Sequence, residues 1–232
     1  MRLIRDAVRP IRPISLLILL ILSNGVLSVT ALADDAGQKL TKSGKPEGKG
    51  WVALITKDLS GWKYQPEYWK MEKDVLIGNT PGTPEHHYAY TEKEYGNFEL
   101  HADVKLVGYN SGVCVRVKPT SFDDVPGYQV DMGEGYWGCL WDERGRGMVA
   151  KYEKADADKL VKKDDWNHYY VRADGPHIQM WLNGVKTVDM MDTAGFEKKP
   201  TGAIGFQLAH GVGNKTEASF KNVYLRPLPE KR

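Results

Sequence analysis

The segment Phe98 to Leu106 places Phe98, Leu100, Ala102, Val104 and Leu106 at alternate positions, with Glu99, His101, Asp103 and Lys105 between them. Side chains along a β-strand alternate between faces, so one side of this strand packs and the other meets water. Val113, Val115 and Val117 repeat the pattern in the next run, leaving Cys114, Arg116 and Lys118 opposite, and Tyr128, Val130 and Met132 repeat it again against Gln129 and Asp131. Three amphipathic strands in succession need a second apolar layer to cover them, which restricts the chain to a sheet packed on another sheet or on helices. No long segment carries a helical period; Lys151 to Lys163 is the one stretch that suits a short helical turn, and its charge suits an exposed loop equally well.

The rest of the chain continues in strands and turns. Trp166 to Ala173 and Ile178 to Leu182 flank the turn signal Asp174-Gly175-Pro176, and Asn183-Gly184 supplies the positive φ angles of a type I′ hairpin. Ile204, Phe206 and Leu208 alternate with Gly205 and Gln207, and Phe220 to Leu225 closes the pattern. Many short antiparallel strands without an internal repeat predict an all-β domain, a two-sheet antiparallel sandwich, over residues 51–229.

Residues 1–33 stand apart. Arg2, Arg5, Arg9 and Arg12 precede the apolar run Ile14 to Leu22, and Ala31-Leu32-Ala33 forms a small-x-small cleavage site, the pattern of a secretory signal peptide. The apolar run is shorter than the ~20 residues of a membrane span; an uncleaved anchor is the alternative. Cleavage near Ala33 predicts an exported chain, periplasmic or extracellular, with no membrane attachment afterwards. Of 232 residues 199 remain, and losing four arginines and Asp6 takes the formal charge from +2 to −1. A near-neutral chain offers no electrostatic footprint for nucleic acid. Residues 34–50, rich in Lys, Gly, Ser and Thr, predict a flexible lead into the domain.

The polar and aromatic residues concentrate between Gly127 and Arg146. Tyr128 to Met132 and Trp137 to Trp141 read as a hairpin around Gly133-Glu134-Gly135. Strand parity sends Gln129 and Asp131 outward together; carried through the turn, it sends Trp137, Cys139, Trp141 and Glu143 outward as well. A one-residue bulge at the turn would put Asp142 in the place of Glu143. If Val113 to Val117 pairs with Tyr128 to Met132, Arg116 shares the outer face and holds Asp131 ionised or grips a hydroxyl. Such a floor suits a carbohydrate, with aromatic faces for the apolar side of a pyranose and polar groups for its hydroxyls. Asp131 and Glu143 read either as an acid/base pair or as strand carboxylates paired with Arg116 and Arg144, and Trp137 and Trp141 as sugar platforms or as core. His86 and His87 follow Glu85 in Asn79 to His87, without metal-ligand spacing, and read as a loop on the cleft rim. Cys114 and Cys139 lie on strands separated by a third, nearly 10 Å apart at ~4.8 Å per strand, which predicts free thiols.

The ordered motifs Lys57–Trp62 (KDLSGW), Tyr95–Leu100 (YGNFEL), Asn110–Arg116 (NSGVCVR), Gly127–Asp131 (GYQVD), Trp141–Arg146 (WDERGR), Asp165–Asn167 (DWN), Trp181–Val185 (WLNGV), Gly202–Gly211 (GAIGFQLAHG) and Phe220–Leu228 (FKNVYLRPL) resemble the 3-keto-disaccharide hydrolase domain family. The resemblance spans Trp51 to Leu228. It implies a concanavalin A-like jelly-roll sandwich, with the site on its concave sheet and activity on 3-keto-glycosides. Gln129 stands where many relatives carry a glutamate, so a carboxylate is displaced here by two positions, to Asp131. The Glu-x-Asp-x-Glu run of concanavalin-like glucanases is missing, which disfavours retaining hydrolysis by paired carboxylates. A C3 ketone instead acidifies the C2 proton, so a base can expel the C1 oxygen by elimination, with water adding afterwards.

The expected catalytic residues are thus Asp131, Glu143 and Arg116, with Gln129, Trp141, Arg144, Gln207 and His210 lining the site. His210 reads as a proton carrier or as a solvated strand end. Arg116, Arg144 or a bound divalent metal could stabilise the enolate, although no metal-ligand motif is present. The alternative function is a non-catalytic, lectin-like glycan-binding module. No feature specifies an oligomeric state.

Overall fold

A computed structural model describes residues 39–230. The secretion signal expected over residues 1–33, and the start of the lead at 34–38, lie outside the described residues. The chain forms β1 (Val52–Ala53), β2 (Trp62–Lys63), β3 (Trp69–Glu72), β4 (Val75–Thr80), β5 (His87–Thr91), β6 (Phe98–Gly108), β7 (Asn110–Val117), β8 (Gly127–Gly133), β9 (Leu140–Glu143) and β10 (Gly147–Ala150). After α1 (Lys154–Leu160) come β11 (Asn167–Asp174), β12 (His177–Leu182) and β13 (Val185–Met191). Helix α2 (Thr193–Lys198), β14 (Ala203–Leu208) and β15 (Thr216–Pro227) complete it. Among the described residues, no helix is long and apolar enough to cross a membrane.

Two antiparallel sheets result. One runs β13-β12-β11-β6-β15-β4-β3, with β1 added to β15; the other runs β10-β9-β8-β7-β14-β5-β2. The jelly-roll sandwich follows from the alternation in the sequence. Phe98, Leu100, Ala102, Val104 and Leu106 of the first sheet meet Val113, Val115, Tyr128, Val130, Met132 and Leu140 of the second in one core. Phe206 of the second sheet stacks on Phe220 of the first at 3.9 Å between ring centres, which ties the sheets together, and Trp62 extends the stack within the second sheet at 5.2 Å from Phe206. Asn183 (φ 49°) and Gly184 (φ 84°) make the expected tight turn between β12 and β13. Helix α1 falls inside the one stretch with helical potential, whereas α2 has no counterpart among the expectations.

Three details of parity differ from the expected pattern, each for a local reason. Between Cys114 and Val117 the β7–β14 register steps three residues against two, a bulge at which Arg116 takes φ 52°. Val117 therefore packs on the outer side with Tyr88, Cys114, Val125 and Ala203 instead of in the central core. The turn after β8 is longer than Gly133-Glu134-Gly135: Tyr136 and Trp137 N–H donate to Gly133 O, and Cys139 N–H to Tyr136 O, before β9 begins at Leu140. Trp137 consequently packs against the core and stacks over Tyr169 at 6.2 Å, so it is not an outward platform.

The middle of the outer face of the first sheet, around Glu99 and His101, is covered as well, because residues 39–51 fold over it. They carry a Leu40–Pro46 bridge, and Trp51 donates to Glu47 O and sets its ring 4.9 Å from His101. Beneath them Glu99 accepts from Arg226 (2.6 Å) and Tyr170 (2.8 Å), and His168 bridges His101 (2.9 Å) and Asp103 (2.7 Å). Residues 39–50, expected as a flexible lead, are thus hydrogen-bonded into a loop against a polar network.

Candidate active site

The outer face of the second sheet carries the cleft. In β8 the side chains of Gln129 and Asp131 alternate with the core residues Tyr128, Val130 and Met132, and the register Gln129↔Trp141 and Gly127↔Glu143 brings β9 alongside with the same parity. Gly112 lies opposite Asp131 on β7. A methyl group there would come within 2.4 Å of Gln129 Cγ, so the glycine is what lets Gln129 lie across the floor. Loop 118–126 closes the other half of this face: Tyr88 N–H donates to Phe122 O, and Val125 packs on Cys114 and Val117. A cleft of about 220 Å³ remains, lined by His86, Tyr109, Asn110, Gln129, Asp131, Tyr136, Trp141, Glu143, Gln207, Ala209 and His210.

The floor is a directed hydrogen-bond chain. Cys114 Sγ points to Gln129 Oε1 (3.6 Å), Gln129 Nε2 donates to Gln207 Oε1 (3.1 Å), and Gln207 Nε2 donates to the Tyr88 hydroxyl (2.7 Å). Each amide is held in one orientation by its neighbours, so the floor presents fixed dipoles. Cys139 sits on the far side of β8, where its sulfur accepts from Tyr152 N–H (3.3 Å), and both cysteines are free thiols.

Asp131 is only 5% exposed, and its Oδ1 accepts from Asn110 Nδ2 and from Met132 N–H, both at 2.9 Å. Burial outweighs these donors and pushes the carboxyl up to about 7. Glu143 is also raised, first by burial. Its Oε1 lies 3.8 Å from His86 Nε2, although His86 directly precedes β5, three strands beyond β8 in the same sheet. Curvature of the sheet thus brings its two flanks together over the floor. His86 Nδ1 accepts from His210 N–H (3.1 Å), so the neutral ring carries its proton on Nε2, the atom facing Glu143. Burial first, then the nearby His210 and Arg144 charges, pull His86 down to about 4, which leaves it neutral at pH 7. Its ring packs edge-on against His210 at 4.5 Å.

Six of the eight expected residues therefore line one cleft: Asp131, Glu143, Gln129, Trp141, Gln207 and His210. The two arginines do not. At the β7 bulge Arg116 turns away from Asp131, and its fully buried guanidinium donates to Gly96 O (2.9 Å), Gly175 O (2.8 Å) and Asn97 Oδ1 (3.2 Å) while lying over Phe196. Arg116 ties the β5–β6 loop to the β11–β12 turn beside α2 and neither clamps nor ionises the carboxylate. Arg144 is half exposed and pairs with Asp124 at 3.0 Å in loop 118–126. Asp142 points away from the cleft to Arg146 and Lys199, so Glu143 keeps the place that strand parity assigned to it. Residues that parity missed are His86, Tyr109, Asn110 and Tyr136. They come from strand ends and turns; Asn110 heads the NSGVCVR motif, and His86 matches the expectation of a loop at the cleft rim.

The carboxylates are not a tight pair by backbone placement. Glu143 lies four residues in register from the position opposite Asp131, roughly 13 Å along the strand at ~3.3 Å per residue. Among the described residues, no three His, Cys, Asp or Glu side chains gather as a metal-binding group.

The sequence profile of the 3-keto-alpha-glucoside-1,2-lyase-like domain matches residues 50–226. Among solved structures, the fold is similar to a candidate glycosyl hydrolase from Parabacteroides distasonis at 28% identity, covering 78% of this chain and all of the other (TM-score 0.57). A second candidate glycosyl hydrolase from that organism aligns at 22% identity, over 83% of this chain and all of the other (TM-score 0.58). Carbohydrate-binding module CBM66 from Bacillus subtilis shares the fold at 14% identity, over 72% of this chain and 95% of the other (TM-score 0.54). No curated protein matches. With 177 consecutive residues matched, from 50 to 226, the chain belongs to the 3-keto-alpha-glucoside-1,2-lyase-like domain family.

Proposed function

We propose that the cleft binds the 3-keto sugar ring of a glycoside and cleaves its C1–oxygen bond by elimination across C1 and C2, with hydration of the product completing a net hydrolysis. The observation that carries this reading is Asp131: a carboxyl on the cleft floor, held by Asn110 and Met132 N–H, with burial pushing it up to about 7. A general base works best when its pKa lies near the operating pH. The family match and the two Parabacteroides distasonis relatives support a carbohydrate substrate.

The ketone at C3 acidifies the C2 proton. Asp131 takes that proton, the C2–H electron pair moves into the C2–C3 bond, and the charge rests on the C3 oxygen as an enolate. Among the described residues no lysine or arginine lines the cleft, so its stabilisation falls to neutral donors, among which the His86 Nε2–H is held in one tautomer. The enolate then collapses: its electron pair forms the C1–C2 double bond, restores the ketone and expels the C1 oxygen. That oxygen leaves as the alcohol, taking a proton from Glu143, whose carboxyl is raised above its ordinary range by burial. Water then attacks C1 and gives a proton back to Glu143, while Asp131, its proton exchanged with solvent, protonates C2 and regenerates a 3-keto sugar. Trp141 supplies an apolar face for the pyranose.

The test is turnover of a 3-keto-disaccharide against its unoxidised parent. The wild type should release the second sugar from the keto form alone, and Asp131→Asn should lower the rate by about 10²–10⁴-fold. Glycan affinity with no product from either sugar would instead identify a binding module on the same sandwich.

A further inference from the structure

We propose that Tyr88 is a positioning residue for Asp131: from outside the cleft its buried hydroxyl fixes the Gln207 amide, which in turn holds Gln129 with its N–H toward the Asp131 carboxylate. This rests on the reading of Asp131 as the base.

The register of the second sheet carries it. Tyr88 lies opposite Gln207, Gln207 opposite Gly112, and Gly112 opposite Asp131, so the four form one straight row across β5, β14, β7 and β8. Gly112 leaves a gap in that row, and the Gln129 amide fills it: a methyl on Gly112 would stand 2.8 Å from Gln129 Nε2. That nitrogen bridges the gap, donating to Gln207 Oε1 at 3.1 Å on one side and to the Asp131 carboxylate on the other.

The direction of the row follows from the charge at its end. An ionised carboxylate only accepts, so Gln129 must turn its nitrogen, not its oxygen, toward Asp131. The second N–H of that nitrogen then takes Gln207 Oε1, which leaves Gln207 Nε2 to find an acceptor on the far side. The Tyr88 hydroxyl supplies it at 2.7 Å. Tyr88 is 1% exposed and does not line the cleft, so it does not touch the substrate. Its backbone stands three strand spacings from Asp131, about 14 Å at ~4.8 Å each. Burial keeps the hydroxyl protonated, so deleting it removes no charge, and its effect on Asp131 travels along the row. The titratable groups facing Asp131 from the packed elements are Cys114 on β7, Cys139 before β9, Glu143 on β9 and Tyr169 on β11, and none of them belongs to the row. Without the hydroxyl the Gln207 amide is free to turn, Gln129 is no longer captured, and the carboxylate loses a donor.

The experiment titrates the Asp131 carboxyl carbon by 13C NMR in the wild type, Tyr88→Phe, Gln207→Met and the double variant, and records the pH–kcat/KM profile of each on a 3-keto-glycoside. One net hydrogen bond changes an equilibrium by about two- to tenfold, so Tyr88→Phe should raise the Asp131 midpoint by about 0.3–1 pH unit and carry the acid limb with it. Gln207→Met already breaks the row, so adding Tyr88→Phe to it should move the midpoint by less than about 0.2 pH unit. An unchanged or lowered midpoint in Tyr88→Phe would overturn the proposal, as would an equal shift with and without Gln207. A raised midpoint with an unmoved kinetic limb, or with no turnover by any of the proteins, supports the row and refutes Asp131 as the base.

Discussion

Replacing Asp131 with asparagine should stabilise the protein, and by an amount that depends on pH. Burial holds the carboxyl at about 7 against an ordinary 3.8. At 1.36 kcal/mol per pKa unit, keeping it ionised in the fold costs about 4 kcal/mol. Because the folded pKa is raised, the group's stabilising contribution is complete below about pH 4, declines as pH climbs toward 7 and is gone above it. The asparagine side chain has no charge to bury, and its carbonyl oxygen can still accept from Asn110 and Met132 N–H. The difference between variant and wild type should therefore be near zero at pH 4 and approach about 4 kcal/mol at pH 8, an upper bound because the cleft admits water. For a domain of this size that corresponds to as much as about 8–16 °C in Tm. Thermal unfolding of both proteins at several pH values measures it. A lower Tm for the variant at pH 8, or a gap that does not change with pH, would refute the placement of Asp131 as a buried, strained carboxylate. A gain in stability with a loss of turnover is the trade expected at a working site.

The other residues give separable outcomes. Arg116→Met leaves Gly96 O, Gly175 O and Asn97 Oδ1 without their donor, at about 1–3 kcal/mol for each acceptor left buried and unpaired, so unfolding measurements should show a loss of at least about 3 kcal/mol, while kcat/KM of the folded fraction stays within about threefold of wild type. A large loss of kcat/KM at unchanged stability would return Arg116 to the catalytic set. Asn110→Ala removes a hydrogen bond that favours the Asp131 carboxylate. The acid limb of the pH–kcat/KM profile, expected near pH 7 in the wild type, should move upward; an unmoved limb would mean that Asp131 is not the base.

Much of this architecture could be read from alternation alone. Phe98 to Leu106, Val113 and Val115, and Tyr128 to Met132 pack as a two-residue period requires, and that same period put Gln129 and Asp131 on one outer face. Trp141 and Glu143 reached the cleft although the intervening turn is not the short hairpin expected, because its extra residues restore parity at Leu140. Trp137, inside the turn, did not benefit. Arg116 could not be placed because the bulge that reverses its direction depends on how β7 aligns with β14, some 90 residues later. His86 was expected on the cleft rim, where it lies, but its pairing with Glu143 was not legible, for a related reason. Its approach to Glu143 arises from curvature across five strands, which no local pattern encodes. The covered face of β6 was missed because the Lys- and Gly-rich stretch before Trp51 has little to bury, yet docks through Trp51 against His101 and Arg226.

The proposed elimination is tested most directly by running the reaction of a 3-keto-disaccharide in D2O and following C2 by NMR. Proton abstraction by Asp131 predicts deuterium at C2 of the released keto sugar, together with a primary isotope effect when C2 is deuterated beforehand and the reaction is run in H2O. Release of the second sugar with the original C2 hydrogen fully retained and no isotope effect on C2 deuteration would contradict it and point to direct displacement at C1.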